Sequence, residues 1–503
     1  MNDLVSKPSC PNEDECADLL ALSQLMAGVF QAPHPFDEWT ERAERLLHHQ
    51  ELERLEGEQA LEHLALSLRH IWLRVAYEHS SSYMMSPPQG QYKCLPDGER
   101  ITYPYDRWIK PKLLEQRLNA QRPAPEGWTA RAVLFANGMA AITSVLQVYH
   151  ASAETIFPGS KGPLSLHWFG GYFEITRALQ LICDDHLHGR KHADQRDLCS
   201  SVERGVADLV LIEPVAADID LHVFDLGAFI NAWKNRRSDR PCAIVVDTSL
   251  CGPTFPMERL CREIKHRPPA FVAQVRSGLK LDQEGLEFSN AGLLTLWTPN
   301  DPESIERLDQ FEDTLRLART TVGAGLSQNE CAALNVPFFL DQASFVRHAA
   351  RVFENNRHLA RALAHVVKSD VGLFSHVTHP CLGAAKDEPW AEAPYVNVRY
   401  RADDKSARDF LYAVLKYESR SRKLCFQAGS SFGFRAHRFE MGFARGVKYN
   451  SLRIAIGSRS GPSLDGVIEL FQELAAYPDF TAVRRAYPQL EANETDGRDE
   501  SGT

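Results

Sequence analysis

The chain has 503 residues, of which 44% are hydrophobic, so it can bury a large core and is longer than one ordinary domain. Its formal net charge of −10 argues against a nucleic acid or an anionic membrane surface as a partner. No apolar run approaches the roughly 20 residues that span a bilayer, and the acidic first residues do not have the pattern of a signal peptide. The eleven cysteines are scattered without the spacing of zinc ligands. This pattern predicts reduced thiols, a cytoplasmic protein and no metal site.

In chain order, the sequence predicts a helical segment, an α/β segment and an α+β segment. Between residues 39 and 79, leucines recur at helical spacing among Glu and Arg side chains, with Gly57 as the expected interruption. From about Arg131 to Thr298, apolar strands alternate with helices, which is typical of a mostly parallel sheet covered on both faces. The predicted division is residues 1–95 for a helical N-terminal extension, 96–325 for the large α/β domain, 326–488 for a small C-terminal α+β domain and 489–503 for a disordered tail.

Two residues at the ends of predicted strands suggest a chemistry. Residues 243–246 and 270–275 have the short, β-branched pattern of buried parallel strands; Asp247 ends the first and Lys280 follows the second. Ligands of open α/β sheets collect at the carboxyl ends of the strands, so we expect these side chains to meet. A lysine that forms a Schiff base and a carboxylate that keeps a pyridine nitrogen protonated are what pyridoxal 5′-phosphate (PLP) requires.

The stretch FANGMAAI predicts a place for the phosphate of such a cofactor. It follows a predicted strand and opens a helix at about Met139. The first turn of a helix has free backbone N–H groups, which favour a phosphate. A single glycine, Gly138, is a much weaker signal than a full glycine-rich motif, and an ordinary strand-to-helix turn has the same pattern.

Several separated segments between Tyr103 and Tyr477 together resemble the cystathionine γ-synthase/γ-lyase family, the PLP-dependent enzymes of Cys and Met metabolism. The segments are YDRWIKP (105–111), FANGMAAI (135–142), VVDTS (245–249), SGLK (277–280), GSSFGF (429–434) and SLRIAIG (451–457). The resemblance implies fold type I, the aspartate aminotransferase-like fold of PLP-dependent transferases, with a large and a small domain. It leaves the first 95 residues or so unexplained.

The resemblance also implies a role for each matching residue. Lys280 would be the Schiff-base lysine and Asp247 the partner of the pyridine nitrogen. The other cofactor-binding residues would be Gly138 and Met139 through their backbone N–H groups, Ser277 at the phosphate, and Ser249 in place of the family's Thr. On the substrate side, Arg453 would hold the α-carboxylate, a bidentate role that suits a guanidinium, and Ser431 would lie near the substrate.

Tyr105 and Arg107 match family residues that reach across a dimer interface to the partner's cofactor phosphate, a dianion that an Arg fork suits. The resemblance therefore implies a homodimer, or a homotetramer made of such pairs, with active sites shared across the interface.

Three positions depart from the family pattern. Phe169 stands where the family has a ring-stacking Tyr, so the ring could stack but could not donate a proton, and Tyr172 could substitute for it. Asp218 stands where the family has an Asn that hydrogen-bonds the ring oxygen, and a carboxylate accepts rather than donates. The stretch KLDQEGLEFSN after the lysine lacks the family's His. These differences favour a specialised enzyme.

We therefore expect a PLP-dependent lyase or transferase that acts on an amino-acid substrate with a leaving group at the γ- or β-carbon, by elimination or replacement. Phe169 favours a leaving group that needs no proton, such as a halide or an activated ester, in the biosynthesis of an unusual amino acid. A fold-type-I aminotransferase and a β-lyase or desulfurase share the Lys, Asp and Arg and stay open as alternatives. A non-enzymatic scaffold is the least favoured alternative, because no DNA-binding motif or basic patch is evident.

Overall fold

The computed structural model describes residues 10–30, 35–48, 52–80, 83–157, 159, 162–368, 370–442 and 449–491. The N-terminal region is helical, as expected, with α1 (Pro11–Ala27), α2 (Asp37–Leu47) and α3 (Leu55–His79). Gly57 does not interrupt a helix: it is buried within the first turn of α3, and the separation between α2 and α3 lies before Leu55.

A short connector leads from these helices to the large domain. It contains the paired strands β1 (Lys93–Cys94) and β2 (Arg100–Ile101), a single 3₁₀ turn (Asp106–Trp108) and helix α4 (Lys112–Gln121).

The large domain is built on a seven-stranded sheet. Its strands are β3 (Trp128–Phe135), β4 (Leu164–Phe169), β5 (Leu187–Lys191), β6 (Leu209–Ile212), β7 (Ala243–Asp247), β8 (Val272–Ser277) and β9 (Gly292–Pro299). Its helices are α5 (Gly138–Ile156), α6 (Phe173–Ile182), α7 (Gln195–Arg204), α8 (Leu226–Lys234), α9 (Met257–Ile264) and α10 (Pro302–Val322). The strand order is β3-β9-β8-β7-β6-β4-β5, and β9 runs antiparallel to both of its neighbours.

Helices cover both faces of this sheet, and the alternation of side chains along each strand explains why. Along β6, Leu209 and Leu211 pack into the cluster that contains α5, α6 and α10, whereas Val210 and Ile212 pack into the cluster that contains α7, α8 and α9. Successive side chains of a strand point to opposite faces, so an apolar run such as LVLI requires cover on both sides.

The C-terminal part has a second sheet. After α11 (Gln328–Leu334) and the long α12 (Gln342–Val366) come β10 (Phe374–Thr378), β11 (Val396–Tyr400), α13 (Lys405–Ser421), β12 (Phe426–Ala428), β13 (His437–Met441), β14 (Ser451–Ala455), α14 (Pro462–Ala475), α15 (Phe480–Ala486) and α16 (Pro488–Glu491). The strand order is β10-β11-β14-β13-β12. Helix α16 extends into the start of the segment 489–503 that was predicted to be a disordered tail, so that prediction was wrong for residues 489–491; residues 492–503 lie outside the described residues.

The predicted α/β fold with a mostly parallel sheet, a smaller α+β part and N-terminal helices is thus confirmed. Within the described residues, no helix combines the length and the apolar character needed to cross a membrane.

The N-terminal helices pack on the body through apolar and charged contacts. Trp72 of α3 is fully buried, and its Nε1 donates a hydrogen bond to the Ala333 carbonyl at 2.7 Å. Glu15 of α1 accepts hydrogen bonds from both Nε and Nη2 of Arg459, at 2.8 and 3.0 Å. Both partners of this ion pair are buried.

Candidate active site

Asp247 and Lys280 lie at the same edge of the large sheet. Asp247 is the last residue of β7, and Lys280 follows β8, the parallel neighbour of β7, by three residues. The Asp247 carboxylate accepts a hydrogen bond from the Ser249 N–H at 2.9 Å. Burial raises the pKa of this carboxyl group, which makes a cationic partner at the strand end favourable.

The environment of Lys280 raises the fraction of its amine that is neutral. Burial, with a smaller contribution from the positive charge of Arg453, lowers the pKa of Lys280 to about 8. Its Nζ contacts the Ser431 hydroxyl and lies 5.1 Å from the centre of the Phe432 ring. An amine with a pKa close to physiological pH can act as a nucleophile and then as a base.

The loops around Lys280 hold unusual backbone conformations. Glu284 and Glu287, shortly after the lysine, and Ser431, which contacts it, have left-handed φ values of 50°, 51° and 79°. A Cβ on Gly433 would overlap the Lys280 carbonyl, so the two loops approach too closely for a side chain there. Strained backbone of this kind concentrates at functional sites, where surrounding contacts hold it in place.

The residues expected to bind a phosphate lie close together. Helix α5 begins at Gly138, and the Asn137 side chain caps it by accepting from the Ala140 N–H at 2.8 Å. A Cβ on Gly138 would lie 3.5 Å from the N, Cα and Cβ atoms of Ser277, so Ser277 and the first turn of α5 are neighbours. The Ser249 hydroxyl accepts from the Ser277 N–H at 2.9 Å and so connects these residues to the Asp247 turn. Met139, also in the first turn, is half-buried.

Glu213 fixes the turn that faces Asp247, a role that the sequence did not reveal. Its carboxylate accepts from the backbone N–H groups of Gly171, Tyr172 and Ala217 at 3.0, 3.0 and 2.8 Å. Burial, reinforced by the negative charge of Asp247, raises the pKa of Glu213 to about 7. The feature of the sequence that could have indicated this role is the position of Glu213, a carboxylate directly after the apolar run LVLI.

Phe169 and Tyr172 lie in different surroundings. Phe169 is 6% exposed and packs in the core with its ring centre 5.5 Å from that of Phe224. The Tyr172 hydroxyl donates to the Glu174 carboxylate at 2.6 Å. Burial, this hydrogen bond and the charge of Asp247 raise the pKa of Tyr172, so its hydroxyl keeps its proton. Tyr172 therefore carries a protonated hydroxyl whose pKa is affected by the charge of Asp247, whereas Phe169 has no hydroxyl.

Asp218 does not have the surroundings expected for a ligand of a ring oxygen. Its carboxylate pairs with Nδ1 of His222 at 2.7 Å, and the hydrogen bond raises the pKa of His222. Its backbone lies against Gly171, where a Cβ would overlap it. The Asn397 side chain donates to the Asp218 carbonyl at 3.1 Å. The backbone of Asp218 therefore packs against the turn at Gly171, whereas its side chain pairs with His222 of its own loop.

Arg453 lies in the middle of the small sheet. On β14 it stands opposite Asn397 of β11 and Glu440 of β13, and its guanidinium contacts the Glu440 carboxylate. It also lies 5.1 Å from the centre of the Tyr395 ring, a buried ring that packs on Phe432. The sequence did not point to Glu440 or Tyr395, because an isolated charge or aromatic residue on a strand carries no motif.

Tyr105 and Arg107 are exposed on the surface of the single chain. The Arg107 guanidinium lies 5.2 Å from the centre of the Tyr105 ring, which packs edge-on against Trp108. Their exposure leaves them accessible to a second copy of the chain, and their role across an interface stays a prediction.

The fold was compared with known proteins. No family model and no curated protein matches the sequence. Among solved structures, a methionine γ-lyase from Micromonospora echinospora is similar, with a TM-score of 0.53, 16% identity and coverage of 78% of this chain and 91% of that chain. Cystathionine γ-lyase from yeast has a TM-score of 0.52, 16% identity and coverage of 78% and 91%. Cystathionine γ-synthase from Xanthomonas oryzae pv. oryzae, in complex with cystathionine, has a TM-score of 0.51, 16% identity and coverage of 81% and 98%.

The resemblance seen in the motifs is thus confirmed at the level of the fold. The matched structures are covered over nearly their whole length, so the similarity extends to both sheets and is not limited to one domain. The chain has the fold-type-I architecture of the cystathionine γ-lyases and γ-synthases.

Proposed function

We propose that this chain is a PLP-dependent enzyme that eliminates or replaces a group at the γ- or β-carbon of an amino acid. The observation that carries the proposal is that a half-buried lysine of lowered pKa and a half-buried carboxylate stand at the ends of adjoining strands. A phosphate cradle of Ser277 and the first turn of α5 lies beside them.

The residues present fit PLP. Lys280 would hold its aldehyde carbon, Asp247 its ring nitrogen, and Ser277 with the N–H groups of Gly138 and Met139 its phosphate. A Cβ on Gly138 would narrow the space between the helix start and Ser277, which explains a glycine at that position. When bound, PLP would supply an electron-withdrawing ring that stabilises negative charge at the substrate's Cα.

Within this proposal, Lys280 moves the substrate's protons. An amine with a pKa of about 8 can take the proton from Cα and return it to a neighbouring carbon. The contact with Ser431 restrains the amine in the site. Asp247 would stabilise the negative charge on Cα indirectly, through the ring nitrogen.

Arg453 would bind the substrate carboxylate in competition with Glu440. An internal carboxylate already neutralises the guanidinium, so a substrate carboxylate must displace or share it. We therefore expect Arg453 to orient the substrate rather than to provide most of its affinity.

The surroundings of Tyr172 bear on the expected leaving group. Phe169 favoured a group that departs without a proton, and it packs in the core. The Tyr172 hydroxyl already donates to Glu174, and its raised pKa makes it a weak acid. The proposal therefore still favours a leaving group that needs no proton, such as a halide or an activated ester. A role in the biosynthesis of an unusual amino acid remains part of the proposal.

The test is PLP binding by the purified protein. Lys280→Ala should lose the visible absorption band of lysine-bound PLP, while Lys265→Ala, a change of an exposed lysine in the same domain, should keep it. An unchanged band in Lys280→Ala would refute the assignment. Release of ammonia and a keto acid from O-acyl-homoserine, cystathionine, cysteine or a halogenated amino acid would identify the lyase activity. Interconversion of PLP and its amine form by a keto acid would instead indicate an aminotransferase.

We also propose that the enzyme works as a homodimer or homotetramer in which Tyr105 and Arg107 serve the partner's site. Mixing inactive Arg107→Ala with inactive Lys280→Ala should then restore part of the activity, because a mixed dimer has one site with both wild-type residues. No recovery in mixed dimers that have been isolated would contradict the shared site.

A further inference from the structure

A cavity of about 490 Å³ lies between the N-terminal extension and the candidate active site. One wall is α3, with Glu62, Leu66 and Arg69. The second wall is the loop of residues 285–290 that follows Lys280, and the third is the segment of residues 434–438 that leads into β13. We call it the α3 cavity. Its volume suits a ligand of the size of an amino acid or a little larger.

The α3 cavity adjoins the lysine. Nη1 of Arg438, which lines the cavity, donates to the Ser430 carbonyl at 3.2 Å, and the next residue, Ser431, contacts Lys280. The opposite charges of Glu287 and Arg438 both act on the pKa of Lys280. Leu279, the residue before the lysine, also lines the cavity, so Lys280 lies next to its wall.

The charges that line the α3 cavity are mostly paired. Glu287 binds Nη2 of Arg438 at 2.5 Å, and Glu62 accepts from the Gln427 amide at 2.9 Å. Arg69 is different: its Nε donates to the Glu287 carbonyl at 2.9 Å, and it forms no ion pair with any residue that the structure describes.

Arg459 also contributes to the wall, but it does not offer a donor to a ligand. It is 2% exposed, it pairs with Glu15, and its unpartnered Nη1 is itself buried. Arg69 is therefore the cation of the wall whose planar donor fork can match a carboxylate.

We propose that the α3 cavity is a subsite for a distal carboxylate of the substrate, with Arg69 of the N-terminal extension as the residue that recognises it. The inference rests on the proposed function, because it assumes that the substrate's amino-acid end lies at Lys280. It makes the substrate class an amino acid whose side chain ends in a carboxylate, and it gives α3 a direct part in specificity.

The experiment is calorimetric titration of the PLP-loaded full-length protein with matched pairs of amino acids that carry no leaving group. L-2-aminoadipate is compared with L-norleucine, and L-2-aminopimelate with L-2-aminoheptanoate; each pair differs only in a terminal carboxylate or methyl. The wild type should bind at least one acid about tenfold or more tightly than its methyl counterpart, as expected for a charge-assisted pair.

Four variants test which residue causes the preference for the acids. Arg69→Gln should reduce the ratio of the affinities for acid and methyl ligands to nearly one, while the affinity for the methyl-ended ligands stays unchanged. Arg69→Lys should retain part of the preference for the acids. Arg74→Gln removes the same charge from an exposed position on α3 and should behave as the wild type. Arg69 also contacts the backbone, so replacing it could disturb the structure. Asn290→Asp avoids this, because Asn290 is an exposed cavity residue and the change adds a negative charge without removing a contact. This charge repels the ligand's carboxylate and should weaken binding of the acids about threefold or more.

The outcomes separate the two proposals. A wild-type protein that gains no visible band on adding PLP overturns the proposed function. A protein with that band but with equal affinity for acid and methyl ligands, or with a preference that Arg69→Gln and Asn290→Asp leave intact, overturns the subsite alone.

Discussion

Glu213 offers the sharpest test of the electrostatics at the site. It is a buried carboxyl that accepts three backbone hydrogen bonds, and burial nevertheless raises its pKa from 4.5 to about 7. A folded-state pKa above the unfolded value means that the folded state binds the proton more tightly. The associated stability is fully present below about pH 4.5 and is lost as the pH rises through about 7, and it amounts to roughly 3 kcal/mol.

Glu213→Gln should remove this pH dependence. The amide oxygen still accepts a hydrogen bond, but the NH₂ group faces backbone donors, so the variant should be about 1–3 kcal/mol less stable than the wild type in which Glu213 is protonated. This difference in stability should shrink by roughly 2.5 kcal/mol between about pH 5 and about pH 8, because only the wild type loses stability as Glu213 ionises.

Urea unfolding followed by tryptophan fluorescence measures that difference at both pH values. Glu258→Gln, which changes an exposed glutamate of α9, controls for the general effect of removing a carboxylate. A stability difference that stays constant or widens toward about pH 8 would show that Glu213 is ionised throughout and would refute the reasoning.

Three further predictions concern other parts of the chain. Glu15→Gln breaks a buried ion pair with Arg459 and should lower the free energy of unfolding by about 3–5 kcal/mol in urea titrations; a loss below about 1 kcal/mol would contradict it. Ser431 has a left-handed φ of 79°, so Ser431→Gly should be more stable than Ser431→Ala by about 1 kcal/mol in thermal unfolding, and equal stabilities would argue against backbone strain there. The rate of PLP uptake should rise about tenfold between about pH 7 and about pH 9, because the neutral fraction of an amine with a pKa of about 8 rises from about a tenth to about nine-tenths; a flat stopped-flow profile would contradict the lowered pKa of Lys280.

The strands that position the site were predictable because they are buried on both faces. Residues 243–246 and 270–275 were expected as strands, and β7 and β8 lie at Ala243–Asp247 and Val272–Ser277. A continuous apolar run needs no long-range information to be recognised. Strand β5 (Leu187–Lys191) was missed, because only its first residue is buried and LHGRK has neither an apolar run nor alternation.

The residues around the site were predictable only where a motif fixed their spacing. Lys280 and Asp247 belong to short segments in register with strand ends, and the fold brings them to one edge. Phe169 and Asp218 were matched to family positions next to a glycine turn and within a loop. There, an error of a few residues in the alignment selects a core side chain in place of one that faces the site. Glu213 and Glu440 act through hydrogen bonds and an ion pair formed across distant segments, and sequence spacing does not encode those contacts.

The N-terminal extension is the part that the resemblance could not interpret, and its contacts connect it to the loop that follows Lys280. Asp18 of α1 accepts from Nη2 of Arg435 at 3.0 Å, and Nε of Arg435 donates to the Glu284 carbonyl at 2.8 Å. Glu284 lies four residues after Lys280 in a left-handed conformation, so α1 supports a strained loop that begins at the lysine. Buried ion pairs contribute little net stability, yet removing one partner leaves an uncompensated charge. Without its N-terminal helices the body would lose Glu15 and Asp18 as partners of Arg435, and with them a support of the Glu284 loop. For this reason we regard the extension as one wall of the candidate site rather than as an appendage.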